Sequence, residues 1–130
     1  MLYIFPSLVT CLSLMIYAVL CLNVIKARKR YAIKAPATIG NPLFERVLRV
    51  QQNMMEQMLL FLPSLWIAAY FCSSILSGII GMIWVGSRIV YAYDYYKDPA
   101  RRLYGFIVSF WLSLLLLAIG TLGVLVKMVS

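Results

Sequence analysis

The chain has 130 residues, of which 64% are hydrophobic and only 12% are charged, and its formal net charge is +8 at pH 7. This composition excludes a water-soluble enzyme, a disordered chain and a collagen-like fibre. The sequence contains no histidine, which removes the commonest general base, the usual catalytic triads and most zinc or copper sites. A membrane span needs about 20 mostly apolar residues, so four spans would leave only short connections. We therefore expect an integral membrane protein without a metal site.

The first predicted span covers residues 2–25, an uncharged apolar run that is long enough to cross a bilayer with some tilt. Its positive charges follow the apolar run instead of preceding it, which favours a retained span over a cleaved signal peptide. The next segment contains many cations together with Pro36, Gly40 and Pro42, which together are incompatible with one regular helix. We interpret this segment as a basic loop.

Three further apolar runs complete the bundle. Pro63 is a predicted kink point inside the second span. A short uncharged turn is expected over residues 72–78, and Pro99 marks a second polar loop. The expected fold class is an all-α integral membrane protein, a four-transmembrane-helix bundle that forms one domain over the whole chain. The remaining spans are predicted over residues 44–71, 79–96 and 103–129.

The cations indicate an orientation in the membrane. Seven lie between Lys26 and Arg49 and three surround the third connection, whereas the opposite side carries only Lys127. By the positive-inside rule, both basic loops face the cytoplasm and both termini lie on the opposite side. The positive charge therefore requires no nucleic acid, and the loop cations are suited to contact with anionic membrane lipid.

Polar side chains recur at helical spacing inside the second and third spans. Arg49, Asn53 and Glu56 stand at i, i+4 and i+7, on one helix face. The third span carries a second stripe at i, i+3 and i+7, formed by Arg88, Tyr91 and Tyr95. Ionisable groups at membrane depth face a bundle interior or a watery cavity and pair there, so Glu56 needs a cation that Arg49 or Arg88 can supply.

Two interpretations of the stripes remain open. They form either an internal network that fastens the second helix to the third, or the lining of a cleft that opens toward the basic loops. Such a cleft holds several guanidinium groups and one carboxylate, so it favours an anionic guest with carboxylates for the arginines and an amine for Glu56.

Three sequence blocks resemble one known family. Residues 44–56, FERVLRVQQNMME, carry every fixed position of the pattern F-E-R-V-x-R-x-Q-x-N-x-x-E. This pattern resembles the second-helix signature of the MAPEG family, the membrane-associated proteins in eicosanoid and glutathione metabolism. The run VIKARKR at 24–30 is similar to that family's basic exit from helix one, and Arg88-x-x-Tyr91-x-x-x-Tyr95 with Arg102 is similar to its third-helix and loop pattern. The resemblance covers essentially the whole chain, on the microsomal glutathione transferase and cysteinyl-leukotriene synthase branch.

The resemblance implies a homotrimer that binds glutathione, as co-substrate, in a cleft between neighbouring subunits. Arg102 would be the catalytic residue, beside the sulfur, where its charge favours the thiolate. The thiolate would attack a hydrophobic electrophile or a lipid hydroperoxide delivered from the membrane, which implies transferase and possible peroxidase activity in detoxification or lipid metabolism. The residues that would hold glutathione are Arg28, Lys29, Arg49, Gln51, Asn53, Glu56, Tyr91 and Tyr95.

Three positions depart from the family pattern. Lys29 stands where the leukotriene synthase has a second arginine, Gln57 replaces an aromatic residue, and Leu59 replaces a proline. These departures argue against leukotriene synthesis itself and leave a more general transferase or peroxidase activity. The alternatives are a non-catalytic lipid-binding scaffold of the same fold and a small proton-coupled exporter. Exporters of that kind place the key glutamate in the first span, which here has no acidic or basic residue.

Overall fold

A computed structural model describes all 130 residues of the chain. It contains four long α-helices and one short 3₁₀ helix and has no β-strand. Each long helix is long and apolar enough to cross a membrane, which confirms the expected all-α membrane bundle. The helices are α1 (Ile4–Arg30), α2 (Pro42–Phe71), α3 (Ser74–Lys97) and α4 (Leu103–Val129), and the 3₁₀ helix (Pro99–Arg102) leads into α4.

The first helix continues through the basic run that we had interpreted as loop. It ends at Arg30, so Arg28 and Lys29 lie in its last turn. Lysine and arginine are good helix formers, and their charges are favourable at a helix C-terminus, where the macrodipole is negative. The irregular connection is therefore confined to residues 31–41.

Polar caps set the starts of α2 and α3. The Asn41 side chain accepts hydrogen bonds from the backbone N–H groups of Leu43 and Phe44 at 2.8 and 3.4 Å. The Ser73 hydroxyl accepts from the Leu76 N–H at 3.2 Å. The turn predicted over residues 72–78 is wrong in extent, because this serine cap starts α3 at Ser74 and leaves only two connecting residues.

The four helices pack in the cyclic order α1, α2, α4, α3, with α2 also contacting α3 across the bundle. Phe61 of α2 and Trp84 of α3 stack at the centre with ring centroids 3.7 Å apart, and both side chains are fully buried. Many large apolar side chains face outward, as a lipid-facing surface requires. The α1–α2 and α3–α4 connections lie at one end of the bundle, which we call the basic end.

Candidate functional site

A pocket of about 360 Å³ opens at the basic end, where α2, α3 and the start of α4 meet. Its lining includes two guanidinium groups and no carboxylate, so its electrostatic potential favours an anionic ligand. We call it the arginine pocket. The residues that line it are Arg49, Asn53, Tyr91, Tyr95, Arg102, Leu103 and Phe106.

Two buried tyrosines of α3 form one wall of the arginine pocket. Tyr91 and Tyr95 stand four residues apart, on one helix face, and their ring centroids are 5.7 Å apart. The Arg102 guanidinium lies 5.8 Å from the Tyr95 ring centroid, so the aromatic face helps to position the arginine. Arg102 itself is exposed, in the 3₁₀ helix between α3 and α4.

Arg88 lies directly behind this wall. Its side chain is 2% exposed, and its guanidinium carbon is 4.2 Å from the Tyr91 ring centroid. It donates hydrogen bonds to Asn53 Oδ1 at 2.6 Å and to Ser109 Oγ at 3.2 Å, while its Nε has no partner. The only salt bridge of the chain joins two other residues, so this buried cation has no carboxylate within 4.0 Å.

The hydrogen bond from Arg88 fixes how Asn53 presents its amide. Asn53 Oδ1 accepts a hydrogen bond from the buried guanidinium. The Nδ2 group of the same amide is therefore free to donate a hydrogen bond to a ligand in the arginine pocket. Asn53 therefore adds a donor to a pocket that already contains two guanidinium groups. Arg88 was part of the predicted polar stripe but not of the predicted glutathione set, and its i, i+3 spacing to Tyr91 is the sequence signal that could have included it.

Arg49 forms the one salt bridge of the protein, with Glu56. Its Nη1 and Nη2 donate to the two carboxylate oxygens at 3.1 and 3.5 Å. The sequence left Arg49 and Arg88 as the two candidate partners for Glu56, and the structure selects Arg49. The two side chains are about half exposed, at 47% and 51%, so the pair is a solvated surface bridge that contributes little to stability. Glu56 lies beside the arginine pocket without lining it.

Three other predicted residues lie away from the arginine pocket. Arg28 donates to the Ala37 carbonyl at 2.7 Å and stacks over Phe44. Gln51 donates to the Tyr17 hydroxyl of α1 at 3.0 Å. Lys29 is exposed at the end of α1. Residues two apart project from opposite sides of a helix, which is why Gln51 faces α1 although its neighbour Arg49 lines the pocket.

Of the nine predicted site residues, the structure thus brings five to the arginine pocket and leaves four outside it. Those in the pocket come from α2, α3 and the 3₁₀ helix. Of the outer ones, Arg28 and Lys29 belong to α1, Gln51 faces α1 from α2, and Glu56 lies on the pocket's face of α2 but beyond the pocket. The five are Arg49, Asn53, Tyr91, Tyr95 and Arg102, and the four are Arg28, Lys29, Gln51 and Glu56.

The four helices are long and apolar enough to span a membrane, so the chain is an integral multi-pass membrane protein. Its basic pocket lies at one end of the bundle. The sequence profile of the MAPEG family matches residues 6–123. The chain therefore belongs to the MAPEG family, which confirms the resemblance carried by the three sequence blocks.

Several relatives match most of the chain. An uncharacterized protein of Synechocystis sp. is 44% identical over 119 residues, covering 92% of this chain and 86% of the relative. Human microsomal glutathione S-transferase 2 is 35% identical over 103 residues, covering 79% of this chain and 70% of the relative. Leukotriene C4 synthase of Cavia porcellus is 36% identical over 117 residues, covering 90% and 78%.

Proposed function

We propose that the protein is a membrane-embedded glutathione transferase and peroxidase that activates the glutathione thiolate for attack on lipophilic electrophiles or lipid hydroperoxides. The observation that carries the proposal is the arginine pocket. It is lined by two guanidinium groups and an oriented amide donor, and no carboxylate lines it. Membership of a family whose relatives include named glutathione S-transferases supports the same conclusion.

The proposed binding mode follows from the charges of the ligand. Glutathione has two carboxylates, one amine and one thiol. Arg49 and the Asn53 amide supply donors for a carboxylate, and the tyrosine hydroxyls of the α3 wall supply further hydrogen bonds. Glu56, which is held beside the pocket by Arg49, is the partner for the amine.

Arg102 is the proposed catalytic residue. A free thiol has a pKa near 8.5, and a fixed positive charge near the sulfur favours the thiolate. If the pKa of the bound thiol fell by about two units, the differential stabilisation would be about 2.7 kcal/mol. Arg102 thus raises the population of the nucleophile at neutral pH in a protein without histidine. With an electrophilic carbon, the thiolate forms a thioether as the leaving group departs or, after an addition, as the adduct takes up a proton. With a lipid hydroperoxide, it attacks the terminal oxygen, and the O–O bond breaks to release the lipid alcohol. A second glutathione thiol then reduces the resulting sulfenic acid to glutathione disulfide and water.

The predicted residues outside the arginine pocket fit a site shared between protomers. Arg28, Lys29 and Gln51 belong to the α1 side of the bundle, away from Arg102. In the proposed homotrimer, the α1 side of one protomer adjoins the arginine pocket of the next and supplies these groups. The positive-inside rule assigns this site to the cytoplasmic face of the membrane.

The test is an ultraviolet difference titration of the purified protein with glutathione at neutral pH, since thiolate absorption needs no knowledge of the second substrate. We expect a saturable thiolate signal. Arg102→Ala should abolish the signal while glutathione still binds by calorimetry, because the variant removes only the charge beside the sulfur. Arg101→Ala is the matched control, since Arg101 is exposed in the same 3₁₀ helix and does not line the pocket.

Two outcomes would contradict the proposal. If the wild type binds no glutathione at millimolar concentration, the non-catalytic scaffold becomes the better hypothesis. If Arg101→Ala and Arg102→Ala lose the thiolate signal equally, the effect reflects the general charge of the loop and Arg102 has no special role.

A further inference from the structure

A second cavity lies on the outer surface, between α1 and α3. It is a groove of about 710 Å³ whose walls are almost entirely aliphatic and aromatic. Leu12 and Val19 stand on the α1 wall, and Ile89 stands on the α3 wall. It shares no residue with the arginine pocket. The groove therefore forms a separate apolar surface that the proposed reaction does not use.

The groove has the depth of one membrane leaflet. On α1 it extends from Leu12 to Asn23, which is about 16 Å at about 1.5 Å per residue. Half of a bilayer's hydrocarbon core is about 15 Å. At the end of the groove nearest the basic end of the bundle, Asn23 Nδ2 donates a hydrogen bond to the Tyr96 hydroxyl at 3.3 Å. The apolar part of the groove thus ends where a polar interface would begin.

Directly beyond that hydrogen bond lies a basic mouth. A smaller cavity of about 230 Å³ shares Asn23 and Tyr96 with the groove and is also lined by Lys26 and Arg30. Neither cation forms a salt bridge. Asp94, an acidic residue of α3, lines neither cavity. An apolar groove therefore leads continuously to two cations that lack a counterion.

Gly86 widens the groove on its α3 wall. Every other helical glycine has an atom of another helix within 3.0 Å of the place its Cβ would occupy, so its absence of a side chain serves packing. A Cβ at Gly86 would meet nothing within 4 Å, although glycine inside a helix lowers stability by about 1 kcal/mol relative to alanine. Gly86 therefore leaves space in the α3 wall of the groove that no other part of the protomer fills.

We propose that the groove and basic mouth bind one anionic phospholipid, with an acyl chain along the groove and the phosphate at Lys26 and Arg30. In such a lipid the acyl chain is followed by the phosphate, and along the site the apolar groove is followed by the two cations. A second copy of the chain fits less well, because its 12 Lys and Arg against 4 Asp and Glu would meet the mouth mainly with like charge. This inference goes beyond the proposed function and does not depend on it.

The test measures retained lipid by native mass spectrometry of the intact protein, exchanged into equal amounts of phosphatidylglycerol and phosphatidylcholine. We expect preferential retention of phosphatidylglycerol by the wild type. Each cation near a membrane surface favours anionic lipid by a factor of about five, so K26Q/R30Q should lower the phosphatidylglycerol preference roughly 25-fold. K34Q is the matched control, because Lys34 is exposed in the same basic segment and lines neither cavity.

A second pair of variants tests the groove. G86L should reduce retention of both lipids, because the leucine side chain projects into the groove without meeting protein atoms at its Cβ. G86A, which fills far less space, should retain them. Val19→Trp narrows the same groove from α1 and should also reduce lipid retention. If one of the two variants fails to fold, the other still tests the groove. Thermal unfolding in detergent verifies that each variant is folded.

Several results would overturn the proposal. Equal lipid preference in K26Q/R30Q and the wild type would show that the basic mouth does not bind the lipid phosphate. Unchanged lipid retention in both G86L and Val19→Trp would show that the groove does not bind an acyl chain. If millimolar inorganic phosphate displaces the lipid as well as phosphatidylglycerol does, the mouth is a simple anion site. If G86L changes the oligomeric state without changing lipid retention, the groove is a contact between copies of the chain.

Discussion

The two ends of the bundle differ in how closely α2 and α4 approach each other. At the basic end, the arginine pocket lies between them, lined by Arg49 and Asn53 of α2 and Phe106 of α4. At the opposite end, which we call the glycine end, Gly120 and Gly123 bring α4 against the last turns of α2. A Cβ on Gly120 would lie within 3.0 Å of Ile67, and a Cβ on Gly123 would lie within 3.0 Å of Phe71 and of Cys72, the residue after α2.

This difference shows that side-chain size decides where the bundle opens. Both ends are built from helices that are apolar enough to span a membrane, so hydropathy alone does not distinguish them. Small residues let helix backbones approach closely, and interhelical packing in a membrane depends on such contacts. The closed glycine end holds α2 and α4 together, so that the polar side chains at the basic end face a cavity of fixed shape.

The largest effect is expected at the glycine end, from Gly123→Ala. The new Cβ would overlap Cys72 Sγ and the Phe71 carbonyl oxygen, and overpacking of this kind lowers the free energy of unfolding by about 1–3 kcal/mol. Unfolding in detergent measures the change. Glutathione affinity of the molecules that remain folded should be unaltered, because the substitution is remote from the arginine pocket.

Gly86→Ala is the matched control for this substitution. It makes the same chemical change in a helix where the Cβ meets no atom, so helix propensity should raise the free energy of unfolding by up to about 1 kcal/mol. If the two variants shift stability in the same direction, close packing at Gly123 is not what holds the glycine end together.

At the basic end, Arg88→Met should separate stability from binding. The substitution removes the desolvation cost of a buried charge but leaves the buried Asn53 Oδ1 without a donor, which costs about 1–3 kcal/mol. The two effects oppose each other, so the melting temperature should stay similar or fall slightly. Asn53 would lose the donor that orients its amide, and the arginine pocket would lose the positive charge behind Tyr91. We expect glutathione affinity to fall about tenfold, which corresponds to about 1.4 kcal/mol.

Arg88→Lys keeps the charge without the forked donor geometry and should recover part of the affinity. Calorimetry with glutathione and a thermal melt of each variant measure both quantities. If Arg88 is purely structural, Arg88→Met will lower the melting temperature and leave the glutathione affinity of the folded protein unchanged.

The sequence predicts the bundle well, because long apolar runs and polar breaks are local signals that helix assignment follows directly. It also limits the partner of Glu56 to Arg49 or Arg88, and the pair observed is the one whose members are on one helix. It does not predict the pairing of Arg88 with Asn53, since that contact joins two helices whose relative rotation depends on packing. The start of α3 was misplaced for a local reason, because a serine cap was interpreted as part of a turn.

The separation of Gln51 from the arginine pocket illustrates the same limit. A family signature places Gln51 and Asn53 in one functional set, but the helix directs them to different neighbours, namely α1 and Arg88. Sequence motifs record which residues matter, and only the arrangement of helices determines which of them meet within one protomer. The α1 side therefore stays a prediction of the shared site, to be tested in the assembled protein.

The smallest effect is expected from Glu56→Gln. Both members of the Arg49–Glu56 pair are about half exposed, so the free energy of unfolding should change by less than about 1 kcal/mol. Glutathione affinity should fall about threefold, because the amine loses its carboxylate partner while Arg49 keeps its place in the pocket. Repeating the calorimetry with a glutathione analogue that lacks the amine isolates this contact. Wild type and variant should bind the analogue equally, whereas a persistent difference would mean that Glu56 acts through Arg49 and not through the ligand.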